Sequence, residues 1–281
     1  MAHDDALENL DAAADALRES LERGGGVLAV TGAGVSAESG MPTFRGAANA
    51  AHGADPDDER RPLWERYSPA DLATPEAFAR DPALVGGWYR WRLEIVRGVN
   101  PNPGHEALAR LEWTLSRAGG RFTLATQNVD GLHRRAGSGT HGGELLELHG
   151  SIELWRTGSG DRTYEGDELD AVLGGEPPYR CPASGELVRP GVVWFGEALP
   201  ERAIGGALRA AESCALFLSV GTSATVYPAA GLVEVAASAC AATIEINAEA
   251  TPASDVVDHT LRGRSGEILP RLLHAAGVRS A

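Results

Sequence analysis

The feature that most constrains the fold is an apolar run that leads directly into a glycine-rich turn, VLAVTGAGVSAESG, at residues 27–40. A buried strand, a turn and the start of a helix form the first part of a βα unit. Gly32, Gly34 and Ala37 match the spacing G-x-G-x-x-A, in which bare backbone amides approach a pyrophosphate. Glycine-rich turns are common, so the motif alone predicts a nucleotide site only weakly.

Later segments repeat the alternation of strand and helix patterns. A series of strand and helix patterns begins at residues 192–200, VVWFGEALP. It continues with a helix at 201–213, a strand at 214–224, a helix at 227–239 and a strand at 242–250. Such alternation predicts βα units around a parallel sheet. We therefore expect an α/β fold with a Rossmann-like, doubly wound parallel sheet, which binds ligands at the carboxyl ends of its strands.

Two insertions interrupt this pattern and predict a smaller second domain. We assign residues 1–45, 101–151 and 191–281 to the Rossmann-like domain, and residues 46–100 and 152–190 to the small domain. The first insertion has helical character. The second consists of short, turn-rich segments.

The helical insertion carries its own local signals. Asp81 followed by Pro82 predicts a capped helix start. In the helix that follows, Tyr89 and Arg92 lie at i, i+3 and therefore share one face. The preceding stretch, residues 47–70, is polar and rich in proline, and long loops of this kind are usually functional or mobile.

Charge and composition exclude several classes of function. The 39 acidic residues outnumber the 25 basic ones, and the formal charge of -14 disfavours direct binding to nucleic acid or an anionic membrane. Neither a leader-like N-terminus nor a run of about 18 apolar residues occurs, so we expect a soluble, cytoplasmic protein without a membrane partner. Three cysteines are too few for a disulfide framework. Cys214 and Cys240 lie in apolar runs and are expected to be buried.

Polar side chains at predicted strand ends mark the candidate chemistry. Gln127, Asn128 and Asp130 follow an apolar strand, where they can hydrogen-bond a ribose and a carboxamide. His149 follows another apolar stretch and precedes a glycine, a position that suits a general base with a pKa near working pH. A structural histidine is equally compatible with that position. Asn247, at a later strand end, suits the far half of a dinucleotide.

Residues beyond the first turn bear on the type of cofactor chemistry. Phe44 and Arg45 follow the turn closely, and an arginine there can clamp a pyrophosphate. A simple dehydrogenase also needs an acidic residue about 20 positions onward, at the end of a second strand. Asp55 has nearly that spacing but lies in the irregular stretch, so hydride transfer loses support.

Taken together, these stretches resemble the sirtuins, the Sir2 family of NAD-dependent protein-lysine deacylases. The matching segments occur in the family's order within residues 26–270: GAGVSAESGMPTFRG, TQNVDGLH, ELHGS, VVWFGE, GTSATVYPAA and IEINAEAT. The resemblance implies a large Rossmann-type domain and a small domain formed by two insertions. It also implies NAD as the cofactor and an acyl-lysine protein or peptide that threads the cleft between the domains.

The resemblance also implies individual roles. NAD would be held by Gly32, Ala33, Ser36, Phe44, Arg45, Gln127, Asn128, Asp130, Gly221, Thr222, Ser223 and Asn247. The catalytic residues would be His149, Asn128 and Asp130. In the sirtuin mechanism the acyl oxygen attacks C1′ of the nicotinamide ribose, and His149 would deprotonate a ribose hydroxyl. The products would be free lysine, nicotinamide and O-acyl-ADP-ribose.

Two features resemble the desuccinylase-type (class III) sirtuins. Tyr89 and Arg92 match the Y-x-x-R pair that grips an acyl carboxylate, and Thr43 stands where many sirtuins carry aspartate. We therefore expect succinyl-, malonyl- or glutaryl-lysine to be preferred over acetyl-lysine. A strand edge would bind the substrate backbone by β-augmentation, and its residues would be Val193, Trp194, Phe195, Gly196 and Glu197.

The second insertion is expected to lack a metal. Sirtuins usually carry C-x-x-C twice here, and the resemblance aligns those positions with Thr157, Gly160, Cys181 and Ser184. One cysteine cannot make a tetrahedral structural zinc site. We therefore expect a small domain derived from a zinc ribbon but without its zinc ligands. Its packing is expected to come from Trp155, Tyr164, Leu169, Val172 and Tyr179.

Two other functions stay open at this point. A sirtuin-like protein could chiefly hydrolyse NAD with the same catalytic residues and water as the acceptor, or it could be a non-catalytic NAD-binding module. Tyr89, Arg92 and the VVWFGE segment favour an acyl-peptide channel. The intact His149 and Asp130 argue against a non-catalytic module.

Overall fold

The structure is a computed structural model that describes residues 2–42, 67 and 69–278. Its helices are α1 (Ala2–Glu22), α2 (Ala33–Ala37), α3 (Pro69–Leu72), α4 (Pro75–Arg80), α5 (Pro82–Gly98), α6 (Pro103–Arg117), α7 (Leu132–Arg135), α8 (Gly166–Leu173), α9 (Glu201–Ala211), α10 (Leu232–Ser238) and α11 (Ser265–Ala275). Its strands are β1 (Gly26–Thr31), β2 (Phe122–Thr126), β3 (Glu144–Glu147), β4 (Gly150–Thr157), β5 (Thr163–Tyr164), β6 (Val188–Val192), β7 (Cys214–Val220), β8 (Ala242–Asn247) and β9 (His259–Arg262). Short 3-10 helices cover Ala229–Gly231 and Pro252–Asp255.

Six parallel strands form the main sheet, in the order β3-β2-β1-β7-β8-β9. The chain builds outward from β1 through β2 and β3, and it returns to the other side of β1 for β7. This reversal leaves a crevice at the carboxyl ends of β1 and β7, which is where doubly wound sheets bind ligands. The predicted Rossmann-like α/β fold is therefore confirmed.

Helices cover both faces of this sheet, because its central strands are apolar on both sides. Leu17 of α1, Leu108 of α6 and Leu272 of α11 pack on one face. Ala207 of α9 and Leu232 of α10 pack on the other. Among the described helices, none combines the length and the apolar character needed to cross a bilayer.

A second, antiparallel sheet in the order β5-β4-β6 contains most of the turn-rich insertion. It begins at Gly150 and ends at Val192, slightly beyond each end of the expected segment 152–190. Helix α5 packs against it in a separate apolar cluster that includes Trp88 and Tyr89. Of the side chains expected to pack this region, Trp155, Tyr164, Leu169 and Tyr179 are buried and Val172 is half-buried. The packing prediction is confirmed, whereas the division into two domains remains a proposal.

Two local predictions are wrong. Residues 192–200 do not begin with a strand of the parallel sheet, because Val192 ends β6 of the antiparallel sheet and a turn follows. Valine, tryptophan and phenylalanine favour strands in any sheet, so their presence could not distinguish the two sheets. Cys240 is exposed, in the turn after α10, although Cys214 is buried as expected. The predicted cap is confirmed, since the Asp81 carboxylate accepts a backbone N–H of the first turn of α5 at 2.9 Å.

Candidate functional site

The ends of four strands meet in the crevice of the main sheet. Gln127, after β2, donates from Nε2 to Thr222 Oγ1 at 2.9 Å, and its backbone N–H donates to Thr31 O at 3.0 Å. Asn247, at the end of β8, donates from Nδ2 to Thr222 O at 2.8 Å. Ser223 follows Thr222 and is half-buried. These hydrogen bonds connect the loops after β1, β2, β7 and β8 at the base of the crevice. They place the predicted cofactor residues Gln127, Thr222 and Asn247 next to one another.

The turns after β1 and β7 are packed backbone against backbone. A Cβ on Gly32 would lie 2.8 Å from Thr222 Cα, and one on Gly34 would lie 2.7 Å from Gly221 O. Gly221 has φ +57°, and its added Cβ would lie 2.5 Å from Val35 N. Any side chain at these positions would push the two turns apart. Glycine is therefore required here by the packing of the chain itself.

Most backbone N–H groups of the turn after β1 already donate hydrogen bonds within the chain. The N–H groups of Gly32, Gly34 and Val35 donate to backbone carbonyls at 2.8 to 3.1 Å. For the Ala33 amide, no such acceptor is found among the described residues. Ala33 is therefore a donor of this turn that remains available to an anion.

Asn128 presents an acceptor to the crevice. Its Nδ2 donates to Gly32 O and to Ser36 Oγ, each at 3.0 Å. Because Gly32 O can only accept, the amide nitrogen must face it, and Oδ1 is left as the free group. An acceptor at this point suits a ribose hydroxyl, which donates.

A buried histidine, which the sequence analysis missed, helps to hold the Ser36 hydroxyl that Asn128 contacts. The Asn102 N–H donates to His105 Nδ1 at 3.2 Å, so the neutral ring carries its proton on Nε2, 3.4 Å from Ser36 Oγ. Burial lowers the pKa of His105 to about 4, which keeps the ring neutral. Ser36 Oγ therefore accepts from His105 and Asn128, and its own hydrogen is left for Asp130. The only sequence signal was a histidine in the first turn of α6, which is indistinguishable from an ordinary helix start.

Asp130 is a buried carboxyl beside these groups. Burial raises its pKa, although the Leu132 N–H at 2.9 Å and the Ser36 hydroxyl stabilise the carboxylate. Arg135 and Arg92 also lie near enough to lower this pKa. The site therefore combines a desolvated carboxyl with positive charge, as perturbed groups in functional clefts often do.

His149 lies in the tight turn between β3 and β4, where the two sheets join. Its Nδ1 lies 2.8 Å from Gln127 O, and Nδ1 must carry the ring proton because a carbonyl can only accept. Nε2 keeps its lone pair, as a general base requires. Burial lowers the pKa of His149, so the ring is neutral at neutral pH. The turn requires Gly150, which has φ +73° and whose added Cβ would lie 2.1 Å from Gly191 O.

The predicted peptide edge, residues 193–197, continues from the end of β6. Its first three backbone N–H groups donate within the chain at 2.8 to 2.9 Å: Val193 to His149 O, Trp194 to Glu197 Oε2, and Phe195 to Ala73 O. A peptide that paired with this segment would therefore meet its carbonyl groups rather than these N–H groups. Phe195 is half exposed, and the space around Gly196 is open. The first of these bonds joins the segment directly to the backbone of His149.

Tyr89 and Arg92 share the buried face of α5, as their spacing predicts. Tyr89 is 4% exposed and Arg92 is 7% exposed. The Arg92 guanidinium lies 4.9 Å from the centroid of the Trp88 ring. Trp194 Nε1 donates to the Tyr89 hydroxyl at 3.0 Å, and burial raises the pKa of Tyr89 to about 12. The pair lies between Asp130, near the cofactor crevice, and Trp194 of the segment 193–197.

The four positions aligned with zinc ligands do not fit a zinc ion. Cys181 is buried in a turn, where hydrogen bonds from Ser184 lower the pKa of the thiol to about 7. Thr157 Oγ1 lies 3.2 Å from Ser159 Oγ, and Gly160 offers no side chain. Across the described ranges, no cluster of three or more His, Cys, Asp or Glu side chains could hold a metal ion. The turn around Cys181 therefore lacks the donors that tetrahedral zinc needs.

Some predicted residues cannot be placed. Phe44, Arg45 and Thr43 lie outside the described residues, and so does most of the polar stretch 47–70.

Comparisons with known proteins agree with this arrangement. The model of the Sir2 family matches residues 32–228. The chain is 48% identical to NAD-dependent protein deacylase 1 of Pseudomonas aeruginosa over 250 residues, which cover 88% of this chain and 92% of that protein. It is 44% identical to the NAD-dependent protein deacylase of Pyrococcus furiosus, with 88% and 91% covered.

Solved structures of similar fold carry relevant ligands. A Sir2 homologue in complex with NAD has a TM-score of 0.76 and 40% identity, over 90% of this chain and 89% of that one. Sir2Af2 bound to a myristoylated histone peptide has a TM-score of 0.71 and 32% identity, over 96% of each chain.

Proposed function

The chain belongs to the Sir2 family and is an NAD-dependent protein deacylase, and we propose that it favours acyl-lysines whose acyl chain ends in a carboxylate. Succinyl-, malonyl- and glutaryl-lysine in proteins or peptides are such substrates. The expected products are free lysine, nicotinamide and O-acyl-ADP-ribose. The observation that carries the proposal is a buried cation, Arg92, beside a buried phenol, Tyr89.

A buried guanidinium in a substrate cleft favours an anionic ligand. Solvent screens a buried charge only weakly, so an anion bound beside it interacts strongly. Breaking a buried pair of charges costs about 3–5 kcal/mol. The planar fork of Arg92 can bind both oxygens of a carboxylate, and the Tyr89 hydroxyl can donate a further bond. An acetyl group has no carboxylate and gains none of these bonds. The pair therefore supports selection for an acidic acyl chain.

The crevice residues support an NAD site with two halves. For the adenosine half we propose Gly221, Thr222, Ser223 and Asn247, and for the nicotinamide ribose and carboxamide we propose Gln127, Asn128 and Asp130. The Ala33 amide, beside Gly32 and Ser36, suits a phosphate oxygen. When bound, NAD supplies the ribose that accepts the acyl group and the nicotinamide that leaves.

His149 is the proposed general base. Its Nδ1–H is held by Gln127 O, so Nε2 is the nitrogen that accepts a proton from a ribose hydroxyl. The lowered pKa keeps Nε2 unprotonated at neutral pH. Asn128 Oδ1 and the Asp130 carboxylate hold ribose hydroxyls as acceptors. Positioned acid–base groups of this kind contribute about 10²- to 10⁴-fold to a rate.

The peptide is proposed to lie along residues 193–197, in the cleft between two domains. The Rossmann-like domain comprises 1–45, 101–151 and 191–281, and the small domain contributes the opposite wall. The hydrogen bond from Val193 N–H to His149 O supports this placement, because it holds residues 193–197 next to the proposed base, His149.

The test is the turnover of matched succinyl-lysine and acetyl-lysine peptides with NAD in the presence of a chelator. Nicotinamide and deacylated peptide are followed in the same reactions. A higher kcat/KM for the succinyl peptide, with equal yields of both products, is the expected result. Equal rates, or a faster acetyl reaction, would refute the acidic preference. Nicotinamide release that does not depend on peptide would indicate NAD hydrolysis, and NAD binding without turnover would indicate a binding module.

A further inference from the structure

Trp194 links the proposed acyl-carboxylate pair to the peptide segment. Its indole Nε1–H donates to the Tyr89 hydroxyl at 3.0 Å, inside the apolar cluster between α5 and the second sheet. Its backbone N–H donates to Glu197 Oε2 at 2.8 Å. The residue is thus held both at its backbone and at the far end of its side chain.

An ion pair holds the indole ring in place. Arg189 donates to both carboxylate oxygens of Glu197, at 2.6 and 2.9 Å, and its guanidinium lies 3.3 Å from the centroid of the Trp194 ring. Burial works against the ionised form of Glu197, but the bonds from Arg189 lower the pKa of this carboxyl overall. The Phe78 ring lies 5.2 Å from the indole ring. The indole therefore has little freedom to turn away from Tyr89.

The indole also decides which way the Tyr89 hydroxyl can donate. An indole N–H is a donor only, so the Tyr89 oxygen accepts this bond and the phenolic hydrogen points elsewhere. The raised pKa of Tyr89, about 12, keeps that hydrogen in place throughout the working pH range. Arg92, one helical turn away, has donors and no acceptor. Both side chains can therefore donate hydrogen bonds to a carboxylate.

We propose that Trp194 is a positioning residue for acyl specificity, because its indole N–H orients the Tyr89 hydroxyl as a donor to the acyl carboxylate. The Arg189–Glu197 pair holds the indole for this task. The inference rests on the acidic-acyl preference proposed above and adds a residue that acts through Tyr89.

The experiment measures the ratio of kcat/KM for succinyl-lysine over acetyl-lysine peptides in four variants. Trp194→Phe removes the N–H and keeps an aromatic ring for Arg189. Trp155→Phe is the matched control, because Trp155 Nε1 donates to Ile152 O at 3.1 Å in the same apolar cluster. Tyr89→Phe, alone and combined with Trp194→Phe, completes a double-mutant cycle. Thermal melting of each variant reports folding.

We expect Trp194→Phe to lower the ratio by about ten- to 150-fold, the size expected for the loss of one hydrogen bond to a charged group. Trp155→Phe leaves the ratio unchanged even where it lowers the melting temperature. In the cycle, adding Trp194→Phe to Tyr89→Phe has little further effect on the ratio, because the first acts through the second.

An unchanged ratio in Trp194→Phe, an equal loss in Trp155→Phe, or additive effects in the cycle would overturn the positioning role and leave the acidic preference standing. A wild-type protein without any succinyl preference would overturn both proposals together.

Discussion

Replacing Arg92 with methionine is the sharpest test of how this protein chooses its acyl group. Methionine keeps an unbranched apolar stem of similar length, so the packing against Trp88 changes little while the positive charge is lost. Arg92 is 7% exposed, and solvent therefore screens its charge only weakly. Its interaction with an acyl carboxylate should be close to that of a buried charged pair.

The magnitude follows from that burial. Removing one partner of a buried, hydrogen-bonded charge pair costs about 3–5 kcal/mol. Since about 1.4 kcal/mol corresponds to a factor of ten, kcat/KM for a succinyl-lysine peptide should fall by about 10²- to 4 × 10³-fold. Turnover of the acetyl peptide should fall much less. The charge of Arg92 also lowers the pKa of Asp130. The acetyl reaction therefore measures how far the loss of that charge affects Asp130 rather than the acyl group.

The assay is a steady-state comparison of both peptides in the wild-type and variant proteins. Arg97→Met is the control, because Arg97 lies on the same helix in an exposed ion pair with Asp170 at 2.6 Å. Exposed pairs contribute about 0–1 kcal/mol, so this variant should keep its substrate preference. Equal losses for the succinyl and acetyl peptides in Arg92→Met would refute the reasoning, and so would an unchanged succinyl rate.

Four further results are expected. His149→Gln should lower kcat by about 10²- to 10⁴-fold while NAD binding, measured by calorimetry, is retained; loss of binding instead would point to a structural role. Because burial lowers the pKa of His149 and the base must be unprotonated, the acidic limb of the wild-type kcat/KM profile should lie below the ordinary histidine pKa of about 6.5, and a limb above it would contradict the assigned burial. Gly221→Ala should destabilise the fold by about 2 kcal/mol or more, because positive φ and the contact with Val35 N act together; Gly24→Ala, with φ +62° and no atom within 4 Å of its Cβ, isolates the φ contribution in the same melting assay. Elemental analysis should find far less than one zinc per chain, and a chelator should leave the melting temperature unchanged; about one bound zinc per chain would show that other residues supply the ligands.

Local patterns carried much of the fold prediction. The run from Val27 to Gly40 specifies a strand, a turn and a helix start through near-neighbour rules, and the Asp81 cap follows from two adjacent residues. The segment 192–200 was misassigned because strand-forming residues do not reveal which sheet they join. Cys240 was misplaced because burial depends on distant parts of the chain, while its neighbours in sequence are apolar.

By itself, the sequence determined the α/β class, the glycine turns and the presence of Tyr89 and Arg92 on one helix face, since each depends on spacing within a few residues. Only the tertiary structure decided which groups face one another. The proton position on His149 depends on Gln127 O, a backbone atom from another strand end. The direction of the Tyr89 hydroxyl depends on Trp194, which is far away along the chain. Hydrogen-bond direction is a property of contacting pairs, and pairs distant in sequence are brought together only by the packed fold.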